Sequence, residues 1–371
     1  MPRRHVAHGT DAVHGGEHPD SAHGAVNQEI VHSTTYRYPE TVDGQDAPYI
    51  YTRYEDPTTE ATEAKLALLE DADGAFAFAS GMAAIQAVCQ TFCRPGDTLA
   101  VMRGVYGGTM AYLRDELEPM GIHIHVFDAE GPRSLPDGTR LVWMESITNP
   151  LLHVPDLEAW ATVAKEAGAR LCVDATFATP ILQRPLDHGA DLVVHSGTKY
   201  LGGHTDVTSG FVCFRARDQE ALWRTRRNLG AVLDPLAAYL VGRGMKTLPL
   251  RMARHGQNAQ ALADALRNHP KVHAVHHAIL SSGPCGMVTL DLGSLEAATS
   301  FRRNTRLITP AASLGGVESL ASLPIETSHA YATPAQRAAE GITEGLVRIS
   351  VGIEDVADLI ADAEQALSQA P

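Results

Sequence analysis

Residues 170–214 read RLCVDATFATPILQRPLDHGADLVVHSGTKYLGGHTDVTSGFVCF. The runs Arg170–Asp174, Leu192–Ser196 and Gly210–Phe214 are apolar on both faces, which predicts strands of a buried sheet. The first two end in polar residues, and sheets of this kind bind ligands at the carboxyl ends of their strands. Asp174 directly follows Leu171-Cys172-Val173, where a carboxylate needs a cationic partner or a strong donor. It can also simply cap a turn. A lone lysine is usually a solvated charge. Lys199, however, lies in His195-Ser196-Gly197-Thr198-Lys199-Tyr200, among hydroxyls and a glycine and just before Gly202-Gly203-His204. Those surroundings point to a pocket.

Outward from this block the alternation continues. Apolar runs at Ala75–Ala79, Thr98–Met102, Ile122–Phe127 and Arg140–Glu145 bring the predicted strands to seven, separated mostly by helical patterns at Met82–Thr91, Thr109–Pro119 and Leu157–Ala167. Strands joined by crossover helices predict an α/β fold with a mainly parallel sheet. A helix over Thr58–Asp71 opens this large domain, assigned to residues 58–235. A long helical stretch from Leu236 to Arg267, interrupted near Pro249, then leads into shorter strands and helices. Residues 236–371 therefore read as a smaller α+β domain. Residues 1–57 lack sustained periodicity and carry Pro, Gly and paired aromatics, so they read as an extended arm. Ser80-Gly81-Met82 follows a strand and opens a helix, an arrangement that offers backbone N–H groups and a positive dipole end to a phosphate. A glycine there also has a purely steric reading. Gly242-Arg243-Gly244 lacks the third glycine and preceding strand of a dinucleotide fingerprint, and no P-loop is present, so the phosphate implied is not a nucleotide's.

A net charge of −14 argues against a nucleic-acid partner. The short basic patches Arg224–Arg227 and Arg302–Arg306 read as solvated helix faces or intersubunit contacts. No apolar run approaches the roughly 18 to 20 residues of a membrane helix. The His- and Gly-rich start has no apolar signal region, and the sparse cysteines suit a reducing compartment, so a cytoplasmic protein is expected. On a strand over His273–His277, His273 and His277 share one face and His276 takes the other. Nothing completes a ligand set, and no metal is expected.

The segments Ser33-Thr34-Thr35-Tyr36, Tyr51-Thr52-Arg53, Ser80-Gly81-Met82-Ala83-Ala84, Tyr106-Gly107-Gly108-Thr109 and Glu145-Ser146-Ile147-Thr148-Asn149-Pro150 are distinctive. So are Val173 to Gly210, Ser313-Leu314-Gly315-Gly316 and Arg348-Ile349-Ser350-Val351-Gly352. In this order they resemble, nearly end to end, the Cys/Met-metabolism family of pyridoxal-phosphate enzymes, which includes cystathionine γ-synthase, cystathionine γ-lyase, methionine γ-lyase and homoserine-ester sulfhydrylases. The resemblance implies the transferase fold of type I, pyridoxal 5′-phosphate as cofactor, an amino-acid substrate and a homo-oligomer, a dimer of dimers. It implies that Lys199 bonds the cofactor aldehyde and then shuttles protons. Asp174 would pair with the pyridine nitrogen. Tyr106 would stack on the ring and serve as acid or base toward the leaving group. Gly81, Met82, Ser196 and Thr198 would hold the phosphate, joined by Tyr51 and Arg53 from the neighbouring subunit, which suits an arm. Asn149 would contact the ring hydroxyl. Thr176 would stand beside the cofactor or merely satisfy the turn after Asp174; Glu145 and Glu318 equally admit structural roles. Arg348 would bind the substrate carboxylate with its planar fork, and Ser313 would position the substrate and Lys199.

The shared chemistry implies γ-elimination or γ-replacement on a sulfur- or homoserine-derived L-amino acid. Members that handle cystathionine usually carry a Glu where this chain has Ala312 and often an acidic residue where it has Ile50. The γ-lyases among them commonly carry an Arg at the position of Ala111. Their absence predicts a distal pocket without polar partners and favours a short apolar tail, as in methionine γ-lyase. Against this, methionine γ-lyases typically have Cys at Gly108. Ala175, Asp56 and Glu29 depart further, where Asn, Asn and Pro are usual. Cystathionine γ-synthase or γ-lyase, a homoserine-ester sulfhydrylase and a specialised member acting on an unusual amino acid stay open. An aminotransferase or a non-catalytic cofactor-binding protein is more remote.

Overall fold

A computed structural model describes residues 8–17, 24–37, 49–330 and 332–371. Its main sheet contains β1 (Gly74–Phe78), β2 (Thr98–Met102), β3 (His123–Phe127), β4 (Thr139–Glu145), β5 (Arg170–Asp174), β6 (Leu192–His195) and β7 (Gly210–Phe214). The order is β1-β7-β6-β5-β4-β2-β3. β2 to β6 run parallel to their neighbours within that group, and β7 runs antiparallel to both β1 and β6. The predicted seven-stranded, mainly parallel sheet is therefore the fold.

Both faces of the sheet are covered, which is why its strands lack the alternation of a half-exposed one. Leu192 and Val194 pack into a core that includes Ile85, Val88 and Trp160, whereas Val193 between them joins Leu66, Leu69 and Val241 on the other side. Each such buried side chain contributes about 1.5–3 kcal/mol. The helix Pro57–Leu69 starts on Asp56, whose Oδ1 accepts from the Thr58 and Thr59 amides at 3.0 Å each. Asn and Asp cap almost equally well, so the departure at this position costs the helix little.

The C-terminal part builds a second sheet. β8 (Ala274–His276), β11 (Met287–Asp291), β12 (Thr309–Pro310), β13 (Leu320–Ser322) and β14 (Leu346–Ser350) lie in the order β12-β13-β14-β11-β8, beside a hairpin of β9 (Ile279–Leu280) and β10 (Gly283–Pro284). Helices Leu248–Leu266, Leu295–Asn304 and Val356–Gln369 cover the sheet around a third core.

Two details differ from the sequence reading and a third sharpens it. The expected helix Thr109–Pro119 is a short α-helix, Gly107–Tyr112, running into a π-turn at Leu113–Leu117. The long C-terminal helical stretch breaks at Lys246-Thr247, before Pro249, because a proline is tolerated in the first turn of the following helix Leu248–Leu266. The arm is not wholly extended, since His8–His14 is helical. Lys65 holds that helix by donating to the Ala12 and Val13 carbonyls at 2.9 and 3.2 Å. A seven-residue helix needs such tertiary support, and its own sequence does not announce it. Arm residues 1–7, 18–23 and 38–48 lie outside the described residues. Among the described residues no helix is long and apolar enough to cross a membrane, and no group of His, Cys, Asp or Glu is placed to hold a metal ion.

Candidate active site

The carboxyl ends of β4, β5 and β6 open into a cavity of about 510 Å³. Its lining brings together Gly81, Met82, Tyr106, Asn149, Asp174, Thr176, Ser196, Thr198, Lys199, Ser313 and Arg348, residues drawn from six separate motifs. Tyr51 and Arg53 stay outside it. Arg53 donates to the Arg227 carbonyl at 2.7 Å, with its guanidinium 5.5 and 5.0 Å from the Tyr51 and Tyr54 ring centroids.

Gly81 begins the helix Gly81–Phe92, with Ser80 as its N-cap accepting from the Ala83 amide at 3.1 Å. The first-turn N–H groups of that helix face the anion-binding role common to such termini. A Cβ on Gly81 would lie 3.0 Å from the Ser196 Cβ, so glycine is what lets the turn approach the β6 end. The Thr198 hydroxyl bridges to Ser209, donating to its carbonyl at 3.1 Å and accepting from its amide at 3.0 Å. Thr176 is a strut: its amide donates to Asp174 at 2.9 Å and its hydroxyl accepts from the Ser196 amide at 2.8 Å.

Burial pushes the Asp174 carboxyl above its ordinary range, while hydrogen bonds from Thr176 and the nearby His195 pull the other way. His195 is itself bound to Glu70 at 2.6 Å. Opposite Asp174 in the β4–β5 register stands Glu145, whose Oε1 accepts from the Tyr106 amide at 2.5 Å. Burial first, then the Asp174 charge, push the Glu145 pKa well above the carboxylate range, against the pull of the Tyr106 hydrogen bond. Glu145 thus fastens the Tyr106 turn to the sheet. The Tyr106 ring folds against Gly108, where an added Cβ would come within 2.5 Å of its Cε1.

Lys199 donates from Nζ to the Ser313 hydroxyl at 2.6 Å. Burial, with the positive Arg348 nearby, lowers its pKa to about 8. Arg348, on β14, donates to Asn149 Oδ1 at 3.1 Å and to the Ser313 carbonyl at 3.2 Å, and its Nε is buried without a partner. Burial lowers its pKa to about 10.

Residues 9–368 match the sequence profile of the Cys/Met metabolism PLP-dependent enzymes. The chain belongs to that family. It is 42% identical to a cystathionine γ-lyase of Bacillus subtilis, covering 96% of this chain and 97% of that one. It is 40% identical to an L-methionine γ-lyase of Pseudomonas putida, covering 96% of each. A solved cystathionine γ-synthase from Xanthomonas oryzae superposes with a TM-score of 0.93 at 38% identity, covering 98% of both chains. Pyridoxal 5′-phosphate is the family's cofactor, and this cavity fits it. A buried carboxyl with no bonded cation among the described residues suits a protonated ring nitrogen, a helix N-terminus with two adjacent hydroxyls suits a phosphate, and a lysine of lowered basicity suits the aldehyde.

The lining also holds residues that sequence reasoning did not select: Ile85, Ile147, Phe177, Glu326, Thr327 and Ser328. Of the positions used to judge the substrate's tail, Ala312 lines the cavity, whereas Ile50 and Ala111 do not. The expectation of a pocket without polar partners counted only those positions, and the lining also holds Glu326, a carboxylate it did not include. It comes from a 3₁₀ turn, Pro324–Glu326, that has no motif or periodicity to mark it.

Proposed function

We propose that the protein catalyses γ-elimination or γ-replacement on a sulfur- or homoserine-derived L-amino acid, with methionine-γ-lyase-like elimination as the favoured form. The observation that carries this reading is the convergence of Lys199, Asp174, Tyr106 and Arg348 on one cavity. Bound pyridoxal phosphate supplies a protonated ring that withdraws electrons from the substrate's α and β carbons. In this reading Arg348 would bind the α-carboxylate through its fork, held by Asn149, whose Oδ1 accepts from it and whose side chain would contact the cofactor's ring hydroxyl. Ser313 orients Nζ of Lys199, which takes the proton from Cα and returns it elsewhere on the chain. Tyr106 holds a proton for the departing sulfur. The Gly81 and Met82 amides, with Ser196 and Thr198, hold the phosphate.

Overall, the Cγ–S bond breaks, the sulfur leaves as a thiol, and one water turns the remainder into 2-oxobutanoate and ammonium. A substrate panel of methionine, cystathionine, homocysteine, cysteine and the O-acyl homoserines tests the reading. Thiol and 2-oxobutanoate are expected from methionine; keto acid appearing with no loss of thiol or acyl group, by transfer of the amino group, would overturn it in favour of an aminotransferase. Glu326 favours a second reading, a cystathionine-type tail.

Tyr51 and Arg53 complete the phosphate site from a neighbouring copy in this proposal, which makes the active unit a dimer, paired into a tetramer and working in the cytoplasm. Support comes from their position outside their own chain's cavity. Arg53→Ala is expected to weaken cofactor retention. Mixing it with Lys199→Ala protein should restore activity, because each hybrid dimer contains one site with both residues intact. Verified hybrids that remain inactive would place Arg53 at its own chain's site.

A further inference from the structure

Glu326 lines the same cavity as Lys199 and Arg348. Both of its carboxylate oxygens are held by the two terminal nitrogens of Arg302, on the helix Leu295–Asn304, the longer contact being 3.4 Å. The Glu326 side chain is 46% exposed and that of Arg302 only 21%, so the carboxylate is the more open of the two and the guanidinium backs it. A second cavity of about 300 Å³, lined by Arg302 and Arg303, shares Ala312 and Thr327 with the first. Ala312 thus lines both the cavity that holds the reacting groups and the one that Arg302 borders.

A half-exposed ion pair adds little to stability, so the fold does not explain its placement. A carboxylate already oriented by a planar guanidinium is well suited to recognition, because it binds a cation without first losing its own freedom. The other end of a substrate is spoken for: Arg348 is a cation and serves an anionic group, and Lys199 faces the reacting carbons.

We propose that Glu326, held by Arg302, is a specificity-determining residue that recognises a positively charged group at the far end of the substrate, the end that leaves with sulfur. The inference rests on the reading of the cavity as an amino-acid elimination site, in its second form with a charged, cystathionine-type tail. It assigns Glu326 the part of the polar partner that Ala312 cannot play.

The test compares S-(2-aminoethyl)-L-homocysteine with S-propyl-L-homocysteine, which match in length and shape and differ by an ammonium in place of a methyl. For each, kcat/KM is measured on the holoenzyme, together with Kd from the change in bound-cofactor absorbance. The unaltered enzyme should favour the cationic tail. Glu326→Gln should lower that preference roughly tenfold, the scale of one charge-assisted hydrogen bond at a partly exposed site. Glu326→Lys should lower it further. A preference that moves less than twofold in both variants, at unchanged thermal stability, overturns the proposal. If neither compound loses its thiol, the elimination reading fails, and the ratio of Kd values still decides the role of Glu326.

Discussion

Lys199→Ala is expected to abolish turnover, with a loss of roughly 10⁴-fold or more, the upper end of what a placed proton-transfer group contributes. It should also remove the yellow absorbance of the bound cofactor. Among the described residues Lys199 is the only lysine lining the cavity, so no second amine stands ready to replace it. A variant retaining full activity and the same absorbance would show that another lysine carries the cofactor. The same environment sets a pH dependence. Burial and Arg348 lower the Lys199 pKa to about 8, so Nζ sheds its proton as pH rises through that value. Only the neutral amine is nucleophilic. The rate at which apoenzyme takes up cofactor should therefore climb between about pH 7 and 9 and then level off. A rate still climbing at pH 10 would mean an ordinary solvated lysine.

The large sheet was legible because its strands, the edge strand β3 with His123 and His125 apart, are apolar on both faces and most end where polar residues begin. Asp174 and Lys199 stand out for that reason: a charge directly after a buried strand has few bland explanations. What sequence could not reveal is what packs across the chain. Glu145 and Asp174 are 29 positions apart in number and adjacent in the β4–β5 register, a proximity created by strand pairing alone. Glu326 enters the cavity from a turn with no pattern of its own, and Ile50 and Ala111 sit near motif residues yet miss the cavity. Motifs mark the parts of the site bound to the shared chemistry. The wall that meets the substrate's tail is assembled from side chains of no fixed spacing, so it stays hidden until the fold is built.

Asp174→Asn is expected to cut kcat on the order of a hundred- to a thousandfold, the scale of losing one preorganised charge from an active site. The amide keeps the shape of the carboxylate, and its oxygen can still accept from the Thr176 amide, now at 2.9 Å, so the turn after β5 should hold. Cofactor should remain partly bound through its phosphate. What is lost is the negative charge proposed to keep the ring nitrogen protonated, and with it the ring's capacity to draw electrons from the substrate. Glu145 supplies the control. Burial and the Asp174 charge push its pKa well above the ordinary carboxylate range, and its Oε1 serves the Tyr106 amide. Glu145→Gln keeps an acceptor for that amide and should cost less than about tenfold, the scale of a single adjusted hydrogen bond. Equal rates for Asp174→Asn and the unaltered enzyme at saturating cofactor would remove Asp174 from its proposed role. A loss in Glu145→Gln as large as that in Asp174→Asn would instead place the working charge on Glu145, reversing the assignment within the pair.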